Sequence, residues 1–238
     1  FSFPAILFFK TKYKYLVSFS FLLILFSFYI YGSYKINNNQ ILIDRNEQTA
    51  YVKAISPNFE MRYIKSDDEI KNAIQKVIKY SDPELKKETI FVWPEGIFAG
   101  VYFEDLKRFK NLFNKNFSEN HLIILGINTE DNLKDNFYNS ILVVNNKLEI
   151  LYKYDKEKLV PFGEFLPLNN FFEKLGLKKI TQGYGSFSSG KNQNNFKLNN
   201  LSILPLICYE IIFPELIQST DNNSNLIINI SEDAWFGN

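Results

Sequence analysis

The chain has 238 residues, 46% hydrophobic and 17% aromatic, with a formal net charge of +1. This charge does not favour a nucleic-acid partner, because such proteins carry a strongly basic surface. A single cysteine, Cys208, excludes an internal disulfide and a cysteine-based zinc site. The single histidine, His121, begins an apolar run and is interpreted as a residue at the start of a strand. We therefore expect no cysteine- or histidine-based metal site.

Near the start of the sequence, Lys14 and Lys35 bracket twenty residues that carry no charge. At about 1.5 Å per helical residue, this stretch crosses the ~30 Å hydrocarbon core of a membrane. A cleaved signal peptide is the alternative, but the stretch is long and has no small-residue cleavage site. Residues 1–36 are thus predicted to hold the end of one membrane helix, a short basic loop on the cytoplasmic side and one full transmembrane helix.

The remaining sequence is predicted to form a polar linker at 37–48 and an α/β domain at 49–238. Because the chain lacks an initiator Met and stops soon after a strand-like run, we expect a fragment whose domain is incomplete at its C-terminus. The hydrophobic patterns predict strands and helices in alternation, with an irregular segment at Thr181–Asn200. The predicted strands are Thr49–Ser56, Thr89–Trp93, His121–Asn128, Tyr138–Val144, Leu148–Tyr152, Ser202–Ile207 and Leu226–Ile230. The predicted helices are Ser66–Tyr80, a solvated amphipathic helix at Val101–Phe117 and a helix that begins at Pro214.

Three reactive side chains follow predicted strands: Glu95, Lys156 and Cys208. Each has an ordinary explanation, because most free cysteines are buried and inert and most Glu and Lys side chains are solvated. Together they supply a base, an ammonium group and a nucleophile, which an acyl-transfer site needs. The position of the thiol at a strand-to-helix turn favours this second interpretation.

The motifs around these residues resemble those of a known family. They read Trp93-Pro-Glu95, Tyr154-x-Lys-x-x-Leu-Val-Pro-Phe-Gly-Glu164, Ile207-Cys-Tyr-Glu210 and Asn229-Ile-Ser-x-Asp-Ala-Trp235. In this order they resemble the nitrilase (carbon–nitrogen hydrolase) superfamily, and within it the apolipoprotein N-acyltransferases of the bacterial inner membrane. The resemblance implies an αββα sandwich preceded by a transmembrane helix. It implies Cys208 as nucleophile, Glu95 as general base and Lys156 as oxyanion lysine, with Glu164, Tyr209, Glu210 and Trp235 in support.

The resemblance also implies a reaction and its partners. A fatty acyl chain would pass from a phospholipid to the cysteine as a thioester, and then to the N-terminal diacylglyceryl-cysteine of a lipoprotein. The implied reaction uses no metal and no cofactor. The implied location is the inner membrane, with the catalytic domain of a monomeric protein on the periplasmic side. Two alternatives stay open: an amidase or nitrilase acting on small amides, and an inactive truncated remnant.

Some features of the sequence depart from the family pattern or add to it. The first-strand region, Val52–Tyr63, lacks the Trp that the family usually carries, and Glu232 stands where Asn is usual. The amphipathic segment Phe165–Leu177 is interpreted as a lipid-facing lid, with an ordinary packing loop as the alternative.

Overall fold

The computed structural model describes residues 12–39, 51–56, 63–64, 66–131, 136–165, 186–191, 195–198, 200–218 and 224–232. The chain divides into two compact units, Phe1–Gln48 and Thr49–Asn238.

The first unit consists, in its described part, of one long helix, α1 (Lys14–Asn39). Within it, Lys14–Asn37 has a mean hydropathy of 1.9, and none of its most apolar window is buried in the protein. Its length and composition fit a membrane span, although a signal sequence near an N-terminus meets the same criteria. The predicted end of a preceding helix, at 1–9, lies outside the described residues.

The second unit contains a five-stranded sheet in the order β1-β2-β3-β4-β5. Its first three strands run parallel, whereas β4 is antiparallel to both β3 and β5. As a result, β2, β3 and β5 all point the same way and end at one edge. The strands are β1 (Tyr51–Ala54), β2 (Thr89–Val92), β3 (His121–Asp131), β4 (Asn136–Val144) and β5 (Ile150–Asp155).

A second sheet holds three strands in the order β6-β7-β8. They are β6 (Phe196–Leu198), β7 (Leu201–Ile207) and β8 (Leu226–Ile230). Strand β6 lies within Thr181–Asn200, the segment expected to be irregular. For these three residues the expectation was wrong. Its three residues are too few to show a periodic pattern, and β6 forms because it pairs antiparallel with β7.

The two sheets face each other, and helices cover their outer faces. The inter-sheet core joins Ile90, Ile124 and Ile141 of the first sheet to residues of the second such as Ile203 and Ile228. Helices α2 (Asp67–Ser81), α3 (Phe103–Lys107) and α4 (Lys110–Asn116) share a core with the first sheet, and α5 (Pro214–Gln218) packs on the second. This arrangement confirms the predicted αββα sandwich, in which burial of apolar surface on both faces of each sheet is the main stabilising term.

The prediction of a single solvated helix over Val101–Phe117 was wrong. The segment forms α3 and α4, separated by a tight turn in which the Phe109 N–H donates to the Leu106 carbonyl at 3.0 Å. Its Phe103, Leu106 and Phe113 side chains are fully buried. The helix breaks because backbone N–H groups in this turn donate to the carbonyl of the third preceding residue instead of the fourth. The spacing of the apolar residues alone does not reveal this change.

Two smaller predictions are confirmed. Helix α2 begins after Ser66, whose hydroxyl accepts a hydrogen bond from the Glu69 N–H at 3.3 Å, as an N-cap does. His121 is buried at the start of β3, where its Nδ1 accepts from the Ser118 N–H and its Nε2 lies 3.0 Å from the Glu84 carbonyl. Because Nδ1 is an acceptor, Nε2 carries the proton and donates to that carbonyl. The ring therefore has a structural role.

Candidate active site

The sheet topology brings the ends of several strands to one place. Glu95 follows β2 and Lys156 directly follows β5, and these two strands end at the same edge of the first sheet. Cys208 directly follows β7 of the facing sheet. Sequence positions more than 100 residues apart thus meet because of strand direction, in agreement with the rule that α/β sites lie beyond the carboxyl ends of strands.

Glu95 has one bonded and one unbonded carboxyl oxygen. Its Oε1 accepts a hydrogen bond from Asn139 Nδ2 at 2.8 Å, while its Oε2 is buried and has no hydrogen-bond partner among the described residues. Burial raises the pKa of this carboxyl, and the nearby Lys156 ammonium and the Asn139 amide oppose the rise. A carboxylate whose pKa is raised, and of which one oxygen accepts no hydrogen bond from the described residues, is well suited to accept a proton.

Gly126 of β3 makes room for the backbone of Glu95. A Cβ added at Gly126 would lie 3.1 Å from the Glu95 Cα and 2.8 Å from the Ile230 Cδ1. Such approaches are closer than ordinary van der Waals contact. The missing side chain therefore determines how near the backbone of Glu95 comes to the sheet.

Lys156 is the most deeply buried cation of the described residues, with a side chain only 2% exposed. Its Nζ donates to Glu164 Oε1 at 2.8 Å. Burial lowers the pKa of this amine, but the negative charges of Glu95 and Glu164 and the hydrogen bond to Glu164 outweigh that effect, so the pKa is raised. The side chain is thus held as an ammonium group, which can stabilise a developing oxyanion.

Glu164 connects this cluster to the backbone. Its Oε1 accepts from both Lys156 Nζ and Asn139 Nδ2, the latter at 3.1 Å. Its Oε2 accepts from the Val160 N–H at 2.9 Å, which closes a turn around Gly163. Glu164 therefore fixes the direction in which the ammonium group points.

Cys208 has the backbone conformation of a residue at a sharp turn. Its φ is +54°, a left-handed value that costs about 1 kcal/mol or more for a residue with a side chain. The strand ends here and a 3-10 turn, Cys208–Ile212, begins. The Asn229 side chain of β8 donates to the Cys208 carbonyl at 3.1 Å and holds the turn in place. The partly exposed thiol thereby stands at the edge of the sheet.

Tyr209 and Glu210 tie this turn to the segment that follows Lys156. The Tyr209 hydroxyl donates to the Leu159 carbonyl at 2.7 Å, and its ring centroid lies 5.5 Å from Lys156 Nζ. Glu210 is fully buried, and its Oε1 accepts from the N–H groups of Glu157 and Lys158 at 2.8 and 2.9 Å. Both residues that were expected to support the site thus contact the loop that carries the lysine.

The other oxygen of Glu210 secures the strand itself. Its Oε2 accepts from the Ile207 N–H at 2.8 Å and from the Tyr154 hydroxyl at 3.1 Å. Burial raises the pKa of Glu210, and its donors oppose the rise. Burial, together with the charge of Glu210, also raises the pKa of Tyr154, so this hydroxyl keeps its proton and remains a donor.

Asn139 was not singled out in the sequence, yet it bridges the two carboxylates of the cluster. Its Nδ2 contacts both Glu95 Oε1 and Glu164 Oε1, and its carbonyl accepts from the Lys156 N–H at 2.9 Å. The available signal was Asn139-Ser140, a polar pair within the otherwise apolar run that ends β4. A buried polar side chain inside a strand needs a partner, which makes such a pair a candidate for a site.

Two of the expected features lie outside the described residues. One is Trp235, which was expected to support the site. The other is nearly all of the segment expected to form a lid, of which only Phe165 is described. Glu232 is described, and its side chain packs against Gly96, the residue after Glu95.

Comparison with known proteins places this chain in a family. The family model for carbon-nitrogen hydrolases matches residues 70–238, which include all the candidate catalytic residues. The chain belongs to the carbon-nitrogen hydrolase family. Among solved structures, it is similar to a carbon-nitrogen hydrolase from Helicobacter pylori (TM-score 0.51, 18% identity, covering 76% of this chain and 59% of that one). It is also similar to an amidase from Nesterenkonia sp. (TM-score 0.52, 12% identity, covering 79% and 68%).

Curated relatives of this carbon-nitrogen hydrolase chain carry a more specific name. It is 30% identical over 217 residues to an apolipoprotein N-acyltransferase of Allorhizobium ampelinum, covering 87% of this chain and 40% of that protein. It is 46% identical over 101 residues to the protein of the same name from Rhodopseudomonas palustris, covering 42% and 19%. The chain therefore spans less than half the length of these relatives.

Proposed function

We propose that this protein is an N-acyltransferase that moves a fatty acyl chain from a phospholipid, through a thioester on Cys208, to the N-terminal amine of diacylated lipoproteins. The observation that carries the proposal is the hydrogen-bonded network of Glu95, Glu164 and the buried Asn139 and Lys156, which lies at the strand ends beside a strained cysteine. The similarity to proteins named apolipoprotein N-acyltransferase supports the choice of substrates.

In the first step of the proposed reaction, Glu95 accepts the thiol proton and the sulfur attacks the ester carbonyl of the phospholipid. The Lys156 ammonium stabilises the oxyanion, and loss of such a donor costs about 3–4 kcal/mol of transition-state stabilisation. The carbon–oxygen bond then breaks, and Glu95 returns its proton to the leaving alcohol of the lysophospholipid. The products are a thioester and a neutral alcohol.

In the second step, the free amine of the acceptor attacks the thioester carbonyl. A carbon–nitrogen bond forms, the carbon–sulfur bond breaks, and Glu95 transfers the proton lost by the nitrogen to the departing thiolate. The thiol is regenerated and the lipoprotein gains an amide. Neither of these two steps requires a metal or an organic cofactor.

The proposal includes a location and an assembly state. A membrane-anchored monomer in the bacterial inner membrane, with its catalytic domain on the periplasmic side, would meet both lipid substrates. The apolar α1 helix supports the membrane anchor by its length and composition.

The test is the intact mass of the purified protein after incubation with phospholipid in detergent micelles. We expect a gain of one acyl chain that hydroxylamine removes and that is absent from a Cys208→Ala variant. A folded wild-type protein that gains no acyl chain would contradict the proposal. Turnover of small amides without lipid would then assign the protein to the amidases, and no turnover at all would indicate an inactive remnant.

A further inference from the structure

Glu232 and the candidate nucleophile Cys208 follow neighbouring strands at the same end of the second sheet. Strands β7 and β8 are parallel, and Ile207 pairs with Ile230 at their ends. Cys208 follows the first of these residues by one position, and Glu232 follows the second by two. Neighbouring parallel strands therefore deliver the thiol and this carboxyl group to one side of the sandwich.

The Glu232 carboxyl also packs against the segment that carries the general base. A Cβ added at Gly96 would lie 2.5 Å from the Glu232 Cδ and 3.0 Å from its Cγ. Gly96 has φ +83°, a conformation that favours glycine, and it directly follows Glu95. The backbone thus makes space for a second carboxyl group beside the first.

The two carboxyl groups interact electrostatically. The charge of Glu232 contributes to the raised pKa of Glu95, after the larger effect of burial. Lys156 Nζ donates to Glu164, and Asn139 Nδ2 donates to Glu164 and to Glu95 Oε1. Within the part of the chain that the structure describes, Glu95 Oε2 is buried and has no hydrogen-bond partner. A cation that enters here would meet the carboxylates of Glu95 and Glu232, while the nearby Lys156 ammonium is paired with Glu164. Contact with two carboxylates is favourable for a cation in a partly buried site.

We propose that Glu232 is a substrate-binding residue that holds the ammonium group of the acyl acceptor next to Glu95. This inference rests on the proposed acyltransferase function and concerns only its second step. An α-amine has a pKa of about 7.7–8.0, so most acceptor molecules arrive as ammonium ions at pH 7. They must lose a proton before they can attack.

The proposed sequence of events balances in protons. The ammonium ion donates hydrogen bonds to the Glu232 carboxylate and gives one proton to Glu95 Oε2. The neutral amine then attacks the thioester carbonyl, the carbon–sulfur bond breaks, and the departing thiolate takes up the proton from Glu95. The second proton lost by the nitrogen leaves to solvent, and Glu232 remains ionised throughout.

The inference is tested by measuring the two steps separately in the full chain with Glu232→Gln. The acyl donor is a mixed micelle of phosphatidylethanolamine and phosphatidylglycerol, and the acceptor is a synthetic diacylglyceryl-cysteinyl peptide. Above the low-pH limb, where Glu95 is ionised with or without the Glu232 charge, we expect the rate of acyl-enzyme formation to change less than threefold. KM for the peptide should rise about 10- to 100-fold, the loss expected for a charge-assisted hydrogen bond. Deacylation by hydroxylamine, a neutral nucleophile, should stay within threefold of wild type.

A matched control is Glu119→Gln, which also removes one carboxylate charge but lies just before the start of β3, where its side chain is 82% exposed. It should behave as wild type in all three measurements. The inference on Glu232 is overturned if Glu232→Gln passes the acyl chain to the peptide normally, or if hydroxylamine and peptide reactions slow equally. A wild-type protein that never forms an acyl-enzyme would overturn the proposed function as well, so the two failures are distinguishable.

Discussion

Glu164 and Glu210 both lie near Lys156, the first partly buried and the second fully buried, and they bind very different partners. Glu164 accepts from two side-chain groups, Lys156 and Asn139, and from one backbone N–H. Glu210 accepts from three backbone N–H groups and from the Tyr154 hydroxyl, and its contacts include no cationic side chain among the described residues. One carboxylate therefore acts on the charge of the site, and the other fixes the path of the chain.

The difference shows that proximity to a site does not assign a role. Both residues lie within sequence motifs that resemble those of the family, and both were expected simply to support catalysis. The partners distinguish them, because a carboxylate surrounded by backbone donors replaces missing secondary-structure bonds, whereas one that pairs with an ammonium group changes its proton affinity. Substitutions at the two positions should therefore separate stability from activity.

The largest effect is expected for Glu210→Ala. Three backbone N–H groups and one hydroxyl lose their acceptor in the core, and each unsatisfied buried group costs about 1–3 kcal/mol. Because some of these groups regain water, we expect a loss of about 4 kcal/mol, or roughly 10 °C in Tm. Thermal unfolding in detergent measures this change. Glu215→Ala, on the exposed side of an ion pair with Lys158, is the control and should leave Tm nearly unchanged.

The second effect in size is expected for Glu164→Gln. The substitution keeps the shape of the side chain but removes a charge that raises the pKa of Lys156. We expect acyl-enzyme formation to slow about 100-fold, equivalent to roughly 3 kcal/mol, with a Tm within about 3 °C of wild type. The high-pH limb of the rate profile should also move to lower pH, because the ammonium group now loses its proton more readily. A Tm loss as large as that of Glu210→Ala would contradict the distinction between the two glutamates.

The smallest of the three effects is expected for Asn139→Ala. Its amide lowers the pKa of Glu95, so removal raises that pKa further. Glu95 must be ionised to accept the thiol proton, and activity is lost as pH falls through its pKa. The low-pH limb of acyl-enzyme formation should thus move to higher pH, with a loss of about tenfold at neutral pH. Asn116→Ala, which removes a bond to the Leu112 carbonyl in α4, should leave the profile unchanged.

The sequence alone established most of the secondary structure of the α/β unit. Regular apolar spacing identified α2 and the long strands, and Ser66 marked the start of its helix. The errors fell where local patterns do not determine the outcome. A three-residue strand such as β6 forms only through its pairing, and the turn at Phe109 depends on a local change of hydrogen bonding within an apolar pattern that continues through it.

For the candidate site, the sequence determined which side chains could react, because Glu95, Lys156 and Cys208 each follow a recognisable strand and motif. Only the tertiary structure decided how they interact. Asn139 and Glu232 carry no local signal of their partners, since a hydrogen bond across 44 residues and a carboxyl group packed on a distant glycine depend on strand order and direction. Composition and spacing describe what a segment can form by itself, whereas burial and long-range contacts set the charge and the partners of each group.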